Sequence, residues 1–250
     1  MNYKLKKIKY IAHNPFFYTL MQLKKSFVFQ GYTLKSFKET ETIFIHIPKA
    51  AGMSLANAIY GNFAGSHAKA SDYRYIFAEN EFDRFFKFSF VRNPWDRLYS
   101  AYSFLKKGGI NSKDKNWSEL NLSKYKNFEH FVMEWVSEKN IYSYIHFVPQ
   151  VDFLIIPGIS KIQIDYLGFF ENLNDDFNYI SSKIKVSNSL KHINKTISRK
   201  KTYAEMYNKD MVSLVYNVYR KDIDIFGYSF DNSSLCSQVQ KRNNCSLFNI

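Results

Sequence analysis

Cysteine is nearly absent from this chain. Only Cys236 and Cys245 occur, both close to the C-terminus. Two thiols in one tail make neither a disulfide framework nor a zinc-binding set. Long apolar runs are missing as well: no stretch reaches the roughly 18 residues that a spanning helix needs, so none is expected. The N-terminus is rich in lysine but lacks the apolar core and small-residue cleavage site of a secretory signal. Acidic residues are absent from the first 38 positions, which hold eight lysines. Glycine and proline number nine and five, and no linker rich in either divides the chain. There is no internal repeat and no cluster of metal-ligand residues, so no metal is expected.

What is present is a chain of 250 residues, 46% hydrophobic and 18% aromatic. That is globular material with enough length for a sizeable core. The formal net charge is +13, of which the first 38 residues carry +8. A basic surface suits an anionic ligand, nucleic acid or an acidic membrane. Residues 1–38 read as a basic helical extension broken near Asn14-Pro15. Leu5, Ile8, Ala12, Phe16, Leu20, Leu23 and Phe27 follow rough helical spacing. Either this extension packs on the domain with its lysines in solvent, or it contacts an anionic membrane or polymer. Residues 39–230 form the main domain, and 231–250 read as a loosely held tail.

Residues 42–56 organise the main domain. The apolar residues 43–47 read as a strand, and Ile43, Ile45 and Ile47 on one face with Phe44 on the other indicate burial on both faces. That is the pattern of a central parallel strand. Pro48, Lys49, Gly52 and Ser54 follow, then a helix-like segment from Leu55 to Tyr60. A strand, a tight loop and a helix N-terminus aim backbone N–H groups and the positive end of a helix dipole at one spot, where an anion fits. The loop is not a Walker A motif, because its lysine precedes the only glycine by three residues. Taken alone, it is equally compatible with an ordinary strand–helix turn.

A second unit of the same kind follows. Residues 87–91 read as a strand ending at Arg92. Asn93 is placed to cap a helix, Pro94 suits its first position, and Asp96 lies in its first turn. Leu98, Ala101, Tyr102 and Leu105 form the apolar stripe, and Gly108-Gly109 closes it. Two strand–helix units imply an α/β parallel sheet with binding loops at the carboxyl ends of its strands. Further on, 110–126 read as loop, 128–136 as helix, 164–169 as strand and 175–184 as helix. Residues 187–202 read as a basic irregular segment, and a long helix runs from Tyr203 to Val218.

The stretches Phe44-Ile-His-Ile-Pro-Lys-Ala-Ala-Gly-Met-Ser-Leu55 and Phe88-Ser-Phe-Val-Arg-Asn-Pro-Trp-Asp-Arg-Leu-Tyr-Ser-Ala-Tyr102 together resemble carbohydrate sulfotransferases that use 3′-phosphoadenosine 5′-phosphosulfate (PAPS). The similarity is nearest to the branch with heparan 2-O-, chondroitin and HNK-1 type enzymes and their bacterial relatives. His146-Phe-Val-Pro-Gln150, Asp165-Tyr-Leu-Gly-Phe-Phe-Glu-Asn172 and the segment 219–228 extend it over roughly residues 42–230, making 39–230 a sulfotransferase domain. The resemblance implies an α/β, P-loop-like three-layer fold, with a central parallel sheet flanked by helices. It implies PAPS as co-substrate and a saccharide or glycoconjugate acceptor, with neither metal nor nucleic acid.

Roles follow from the resemblance position by position. Lys49, Ala50, Ala51, Gly52, Met53, Ser54 and Leu55 match the loop that binds the 5′-phosphosulfate. Lys49 matches the lysine at the bridging oxygen or sulfuryl group. Arg92 and Ser100 match the pair on the 3′-phosphate, a role that an arginine's planar donors suit. Asp96 and Arg97 read as capping and pairing within their own helix. Ala50 and Met53 depart from the family, which carries threonine at both places, and Ser54 is left as the main hydroxyl of the loop.

Transfer to a hydroxyl calls for a general base, and histidine suits neutral pH. Six compete. His67 stands where relatives carry their catalytic histidine. His46 lies beside the loop and reads as packed. His146 is placed to line an acceptor cleft, His192 sits in the basic segment, and His13 and His130 read as surface or packing residues. Residues 191–201 either cover the nucleotide, hold an anionic acceptor or form a solvated loop. Two other classes compete with sulfuryl transfer. One is a kinase-like nucleotide enzyme, opposed by the missing Walker lysine-serine pair. The other is a non-catalytic binder of anionic polymer or membrane through residues 1–38. The expected location is cytoplasmic, peripheral to an inner membrane.

Overall fold

A computed structural model of the chain describes residues 3–28, 31–159, 162–186, 190 and 202–244. The basic segment 191–201, with His192, lies outside the described residues, as do Cys245 and the rest of the chain's end. Among the described residues no helix is long and apolar enough to cross a membrane.

The main sheet has three strands, β2 (Thr42–Ile45), β4 (Phe86–Val91) and β5 (Tyr166–Phe169), in the order β2-β4-β5. All pairings are parallel, with Thr42 opposite Phe86, Phe88 opposite Tyr166 and Val91 opposite Phe169. Two short strands, β1 (Tyr32–Thr33) and β3 (Phe63–Ala64), pair in parallel beside it. Parallel neighbours require crossovers. The first carries helices α4 (Gly52–Tyr60), α5 (Ala70–Ile76) and α6 (Glu79–Arg84). The second carries α7 (Pro94–Lys106), α8 (Ser112–Asn121), α9 (Phe128–Trp135) and α10 (Val151–Leu154). This is the α/β architecture of parallel strands flanked by helices that the two strand–helix units imply.

The centre of the described sheet is β4, not β2. Every residue of β2 is buried, as its pattern requires. Burial of both faces, however, does not say that both edges are paired, and α3 (Lys35–Glu39) packs beside this strand. Phe44 and Phe88 stack across the pair, with ring centroids 5.0 Å apart.

Three other segments differ from expectation. Residues 112–121 are helical because Asn111 caps them: its side chain accepts from the Asp114 N–H at 2.9 Å. The helix expected over 203–218 is shorter: Ala204–Met206 form one 3₁₀ turn, α12 spans Lys209–Val218, and a separate helix, α13 (Arg220–Phe226), follows the expected end. Helix α12 starts late because Asn208 caps it through the Met211 N–H. Within the tail, α14 (Leu235–Asn243) is docked. Arg242 is buried there and donates to Asp176 at 2.7 Å and to the Leu167 carbonyl at 3.1 Å. Asp176 itself belongs to α11 (Leu173–Ile184), which follows β5.

At the N-terminus, α1 (Tyr3–His13) and α2 (Pro15–Lys24) meet at Asn14-Pro15, with the proline at the start of α2. The extension is docked, but not through its apolar spacing. Tyr3 donates to the Arg74 carbonyl at 3.0 Å, and Tyr10 donates to Asp72 at 3.0 Å. Met21 is buried under α2, and the Gln22 amide reaches the Ile76 carbonyl. Leu5, Ile8 and Phe16 face solvent instead.

Candidate active site

The loop between β2 and α4 has an unusual backbone. Lys49 and Ala51 both lie at positive φ, 70° and 62°, whereas Ala50 between them and Gly52 after them do not. Alternation of this kind turns neighbouring N–H groups toward a common centre, a concavity that accepts an anion. The concavity opens on the first turn of α4, where helix N–H groups and dipole add to it. A non-glycine residue in the left-handed region costs about 1–2 kcal/mol, so the two residues together hold strain in this loop.

Gly52 is needed for clearance rather than for φ. A Cβ there would sit 1.9 Å from Cδ2 and 2.0 Å from Nε2 of the His46 ring. His46 is itself wedged in place, stacked on Phe44 at 5.6 Å. Ala50 points into the core at 1% exposure, so the missing threonine hydroxyl would stand in an apolar setting. Ser54 is buried in the first turn of α4. The Lys49 ammonium rests on the face of Phe104, 3.7 Å from the ring centroid, a cation–π contact.

Arg92 follows β4, one strand over, and reaches back to the loop. Its Nη1 donates to the Lys49 carbonyl at 3.0 Å and to Ser100 Oγ at 3.3 Å. Its Nε and Nη2 both donate to Asp96 Oδ2, at 2.8 and 2.6 Å. The guanidinium also covers the Phe170 ring at 3.9 Å. Asp96 therefore pairs outward with Arg92, two positions before the helix, rather than inside α7. Arg97 makes no helix pair either. It is 2% exposed, and its Nη1 and Nη2 donate to loop carbonyls, Val148 at 2.7 Å and His146 at 3.2 Å, with Pro48 and Phe147 at 3.5 Å. One side chain thus ties the loop after β2 to the segment 146–148.

The weaker motif segments converge on the same corner. The Gln150 amide is fully buried and exchanges two hydrogen bonds with the Arg92 backbone, at 2.9 and 2.8 Å. Asp222 in turn accepts from the Gln150 and Val151 N–H groups at 2.7 and 2.9 Å. Glu171 accepts from the Asn93 N–H at 2.7 Å and from the Tyr228 hydroxyl at 3.0 Å.

Three of the six histidines meet beside the loop. His46 and His67 have ring centroids 4.4 Å apart, and His67 and His146 are 5.9 Å apart. His67 Nδ1 lies 3.0 Å from the His46 carbonyl oxygen. A carbonyl only accepts, so Nδ1 carries the hydrogen and Nε2 the lone pair. Burial brings the His67 imidazole down to about 4, so it is neutral at pH 7. Burial also holds His46 well below the ordinary histidine range.

His146 Nε2 donates to Asp114 Oδ1 at 3.2 Å, and the Tyr144 hydroxyl donates to the same oxygen. Burial works to raise the Asp114 carboxyl, but the hydrogen bonds from His146, Tyr144 and the Ile110 N–H prevail and bring it down to about 2. Burial lowers His146, against the pull of Asp114. His13, exposed on the extension, and His130, in α9, stand apart from this group.

A profile described as the sulfotransferase family matches residues 32–229. The chain belongs to the sulfotransferase family. An uncharacterized protein of Archaeoglobus fulgidus is similar, 31% identical over 109 residues, which are 44% of this chain and 75% of the relative. No solved structure matches with significance. Membership in the sulfotransferase family supports sulfuryl transfer in general, and makes the chain a transferase with an acceptor substrate.

Within that family frame, sequence reasoning singled out Lys49, the loop 49–55, Arg92, Ser100 and His67, and the fold brings them to one end of the sheet. It missed Phe104, Asp114 and the loop-tying role of Arg97. The Asn111-Ser-Lys-Asp114 sequence carried a capping signal that places Asp114 at a helix start. Nothing local foretold that Asp114 would meet His146.

Proposed function

We propose that the protein moves a sulfuryl group from 3′-phosphoadenosine 5′-phosphosulfate to a hydroxyl of a saccharide acceptor. The observation that supports this reading is the alternating backbone of residues 49–52, joined through Arg92 Nη1 to the corner where Arg92 meets Ser100. A donor with a phosphosulfate at one end and a phosphate at the other needs two such corners at once. The saccharide rests on the likeness of residues 44–55, 88–102 and 146–150 to carbohydrate enzymes.

The residues fit that co-substrate. The N–H groups of the loop 49–55 hold the 5′-phosphosulfate, and Arg92 with Ser100 holds the 3′-phosphate. Asp96 fixes the guanidinium by its Nε and Nη2, which directs Nη1 toward Ser100. PAPS supplies the sulfuryl group and leaves as the bisphosphate nucleotide. Lys49 shifts from the Phe104 face to the developing charge on the departing phosphate, where fixed positive charge stabilises a loose transition state most. His67 accepts the acceptor hydroxyl's proton at Nε2, its Nδ1 hydrogen being held by the His46 carbonyl. The Asp114–His146 pair packs behind it and keeps a full negative charge near the imidazole that gains the proton.

The test is binding of 3′-phosphoadenosine 5′-phosphate. A ligand that binds only the folded state raises the melting temperature. A clear rise, lost in Arg92→Ala, supports the reading. No shift at millimolar nucleotide, or a larger shift with ATP than with the 3′-phosphorylated nucleotide, refutes it in favour of a kinase-like enzyme.

A further inference from the structure

The N-terminal extension presents the wrong face to be explained by packing alone. Tyr3 and Tyr10 fix the roll of α1 by bonding to Arg74 and Asp72, and the Tyr10 ring lies tilted against Tyr75, centroids 4.9 Å apart. With that roll, the apolar positions of α1 point away from the domain. Leu5 is 47% exposed, Ile8 62% and Phe16 82%, and Phe27 and Val28 are each 60% exposed past the end of α2. Leu5, Ile8 and Ala12 are spaced by three and four residues, so they form one stripe along the outer side of α1, and Phe16 is exposed at the start of α2, beyond the break at Asn14-Pro15. Lys4 and Lys9 are exposed along the same side. Of the eight lysines among the first 38 residues, Lys25 bonds the Ile76 carbonyl and Lys35 and Lys38 pair with Glu39 and Glu81, so Lys4 and Lys9 are the exposed charges that α1 presents.

We infer that this outward face of α1 and α2 docks on an anionic lipid bilayer. The apolar stripe enters the interface and the lysines meet the headgroups. Helices of 11 and 10 residues are too short to span a hydrocarbon core, which takes about 20. A helix with an apolar stripe and lysine margins lies in the interfacial plane, bound by buried apolar area plus attraction to anionic lipid. Charge complementarity selects this occupant over the others. A second copy would bring the same lysines face to face. A soluble polyanion would satisfy the lysines but leave the stripe in water. The inference does not depend on sulfuryl transfer.

The test is co-sedimentation of the full chain with vesicles of phosphatidylcholine alone and with 30% phosphatidylglycerol. Tight binding to the anionic vesicles, at least tenfold weaker to the neutral ones and weakened at 0.5 M salt, is expected. Ile8→Asp with Phe16→Asp should weaken it at least tenfold. Lys4→Gln and Lys9→Gln should each cost about fivefold. Both pairs alter exposed positions, so melting temperature and nucleotide stabilisation should hold. The inference fails if anionic vesicles do not sediment the protein. It fails equally if the aspartate pair binds like the parent, which leaves charge alone, or if that pair instead dissolves a dimer seen without lipid.

Discussion

Arg92 Nη1 donates to the carbonyl oxygen of Lys49 at 3.0 Å. With the Arg97 bond to the Pro48 carbonyl, this hydrogen bond between residues 43 apart in the chain joins the two motifs across adjacent parallel strands. It makes the corner proposed for the far phosphate a support for the loop proposed for the near one. On that proposal, binding at one end acts on the geometry of the other.

Arg92→Ala should weaken 3′-phosphoadenosine 5′-phosphate binding by about 10- to 100-fold, the scale of a lost hydrogen bond to a charged group. It also removes the two guanidinium hydrogen bonds that Asp96, its side chain 12% exposed, accepts from Arg92. Breaking a buried pair by removing one partner costs roughly 3 kcal/mol, so the melting temperature should fall as well. Adding Asp96→Asn should recover part of the stability and none of the affinity. Calorimetry on the two variants separates these effects.

His67→Gln should lower turnover by about 10²- to 10⁴-fold, the usual contribution of a positioned general base, while nucleotide affinity stays within about twofold of the parent. The parent's rate should be flat near neutrality and fall below about pH 4, where the imidazole takes up its proton. Full turnover in the variant would remove His67 from the mechanism.

Gly52→Ala places a methyl group against the His46 ring. The ring is backed by Phe44, so the loop must give way, at a cost of about 1–3 kcal/mol for forced overpacking and with loss of nucleotide binding. His46→Ala in the same chain opens the space. The double variant should melt higher than Gly52→Ala alone, which a merely unfavourable alanine would not produce.

Stability should fall on mild acidification. His67 is held at about 4 when folded, and burial lowers His46 and His146 too. Unfolded histidines titrate near 6.5, so between these values the unfolded chain binds more protons. Stability therefore rises with pH across that window and is lost as pH drops from about 6.5 toward 4. Asp114, held at about 2, adds a second loss below about 4. A pH series of melting temperatures reads both, and His67→Gln should flatten part of the upper window.

Ala51 at φ 62° is strained where glycine would not be. Ala51→Gly should leave the melting temperature unchanged or raise it slightly, because relief of about 1 kcal/mol of strain offsets the unfolded-state entropy. Nucleotide affinity should drop a few-fold as the loop loses its preset shape. An affinity equal to the parent's would show that the alternation is not needed for binding.

What the sequence determined by itself is what depends on neighbours within a turn or two of chain. Asn93-Pro94 starts α7 because an amide oxygen and a fixed φ act within three residues, and the Asn93 side chain does accept from the Trp95 N–H at 3.0 Å. The break at Asn14-Pro15, the apolar strands and the order of the two strand–helix units were legible for the same reason. The tertiary structure alone decided whatever depends on partners far along the chain. Burial on both faces could not say that β2 stands beside β4 at one side of the described sheet. Helical spacing in α1 defined a stripe but not its direction, which two tyrosines bonded to α5 turned outward. Arg97 looked like a helix residue, yet its partners are carbonyls about 50 positions away, and a carbonyl's availability leaves no mark on its side chain. The candidate site has both origins: its residue types were written locally, while the contacts that set Lys49, Arg92 and His67 in place exist only once the strands have paired.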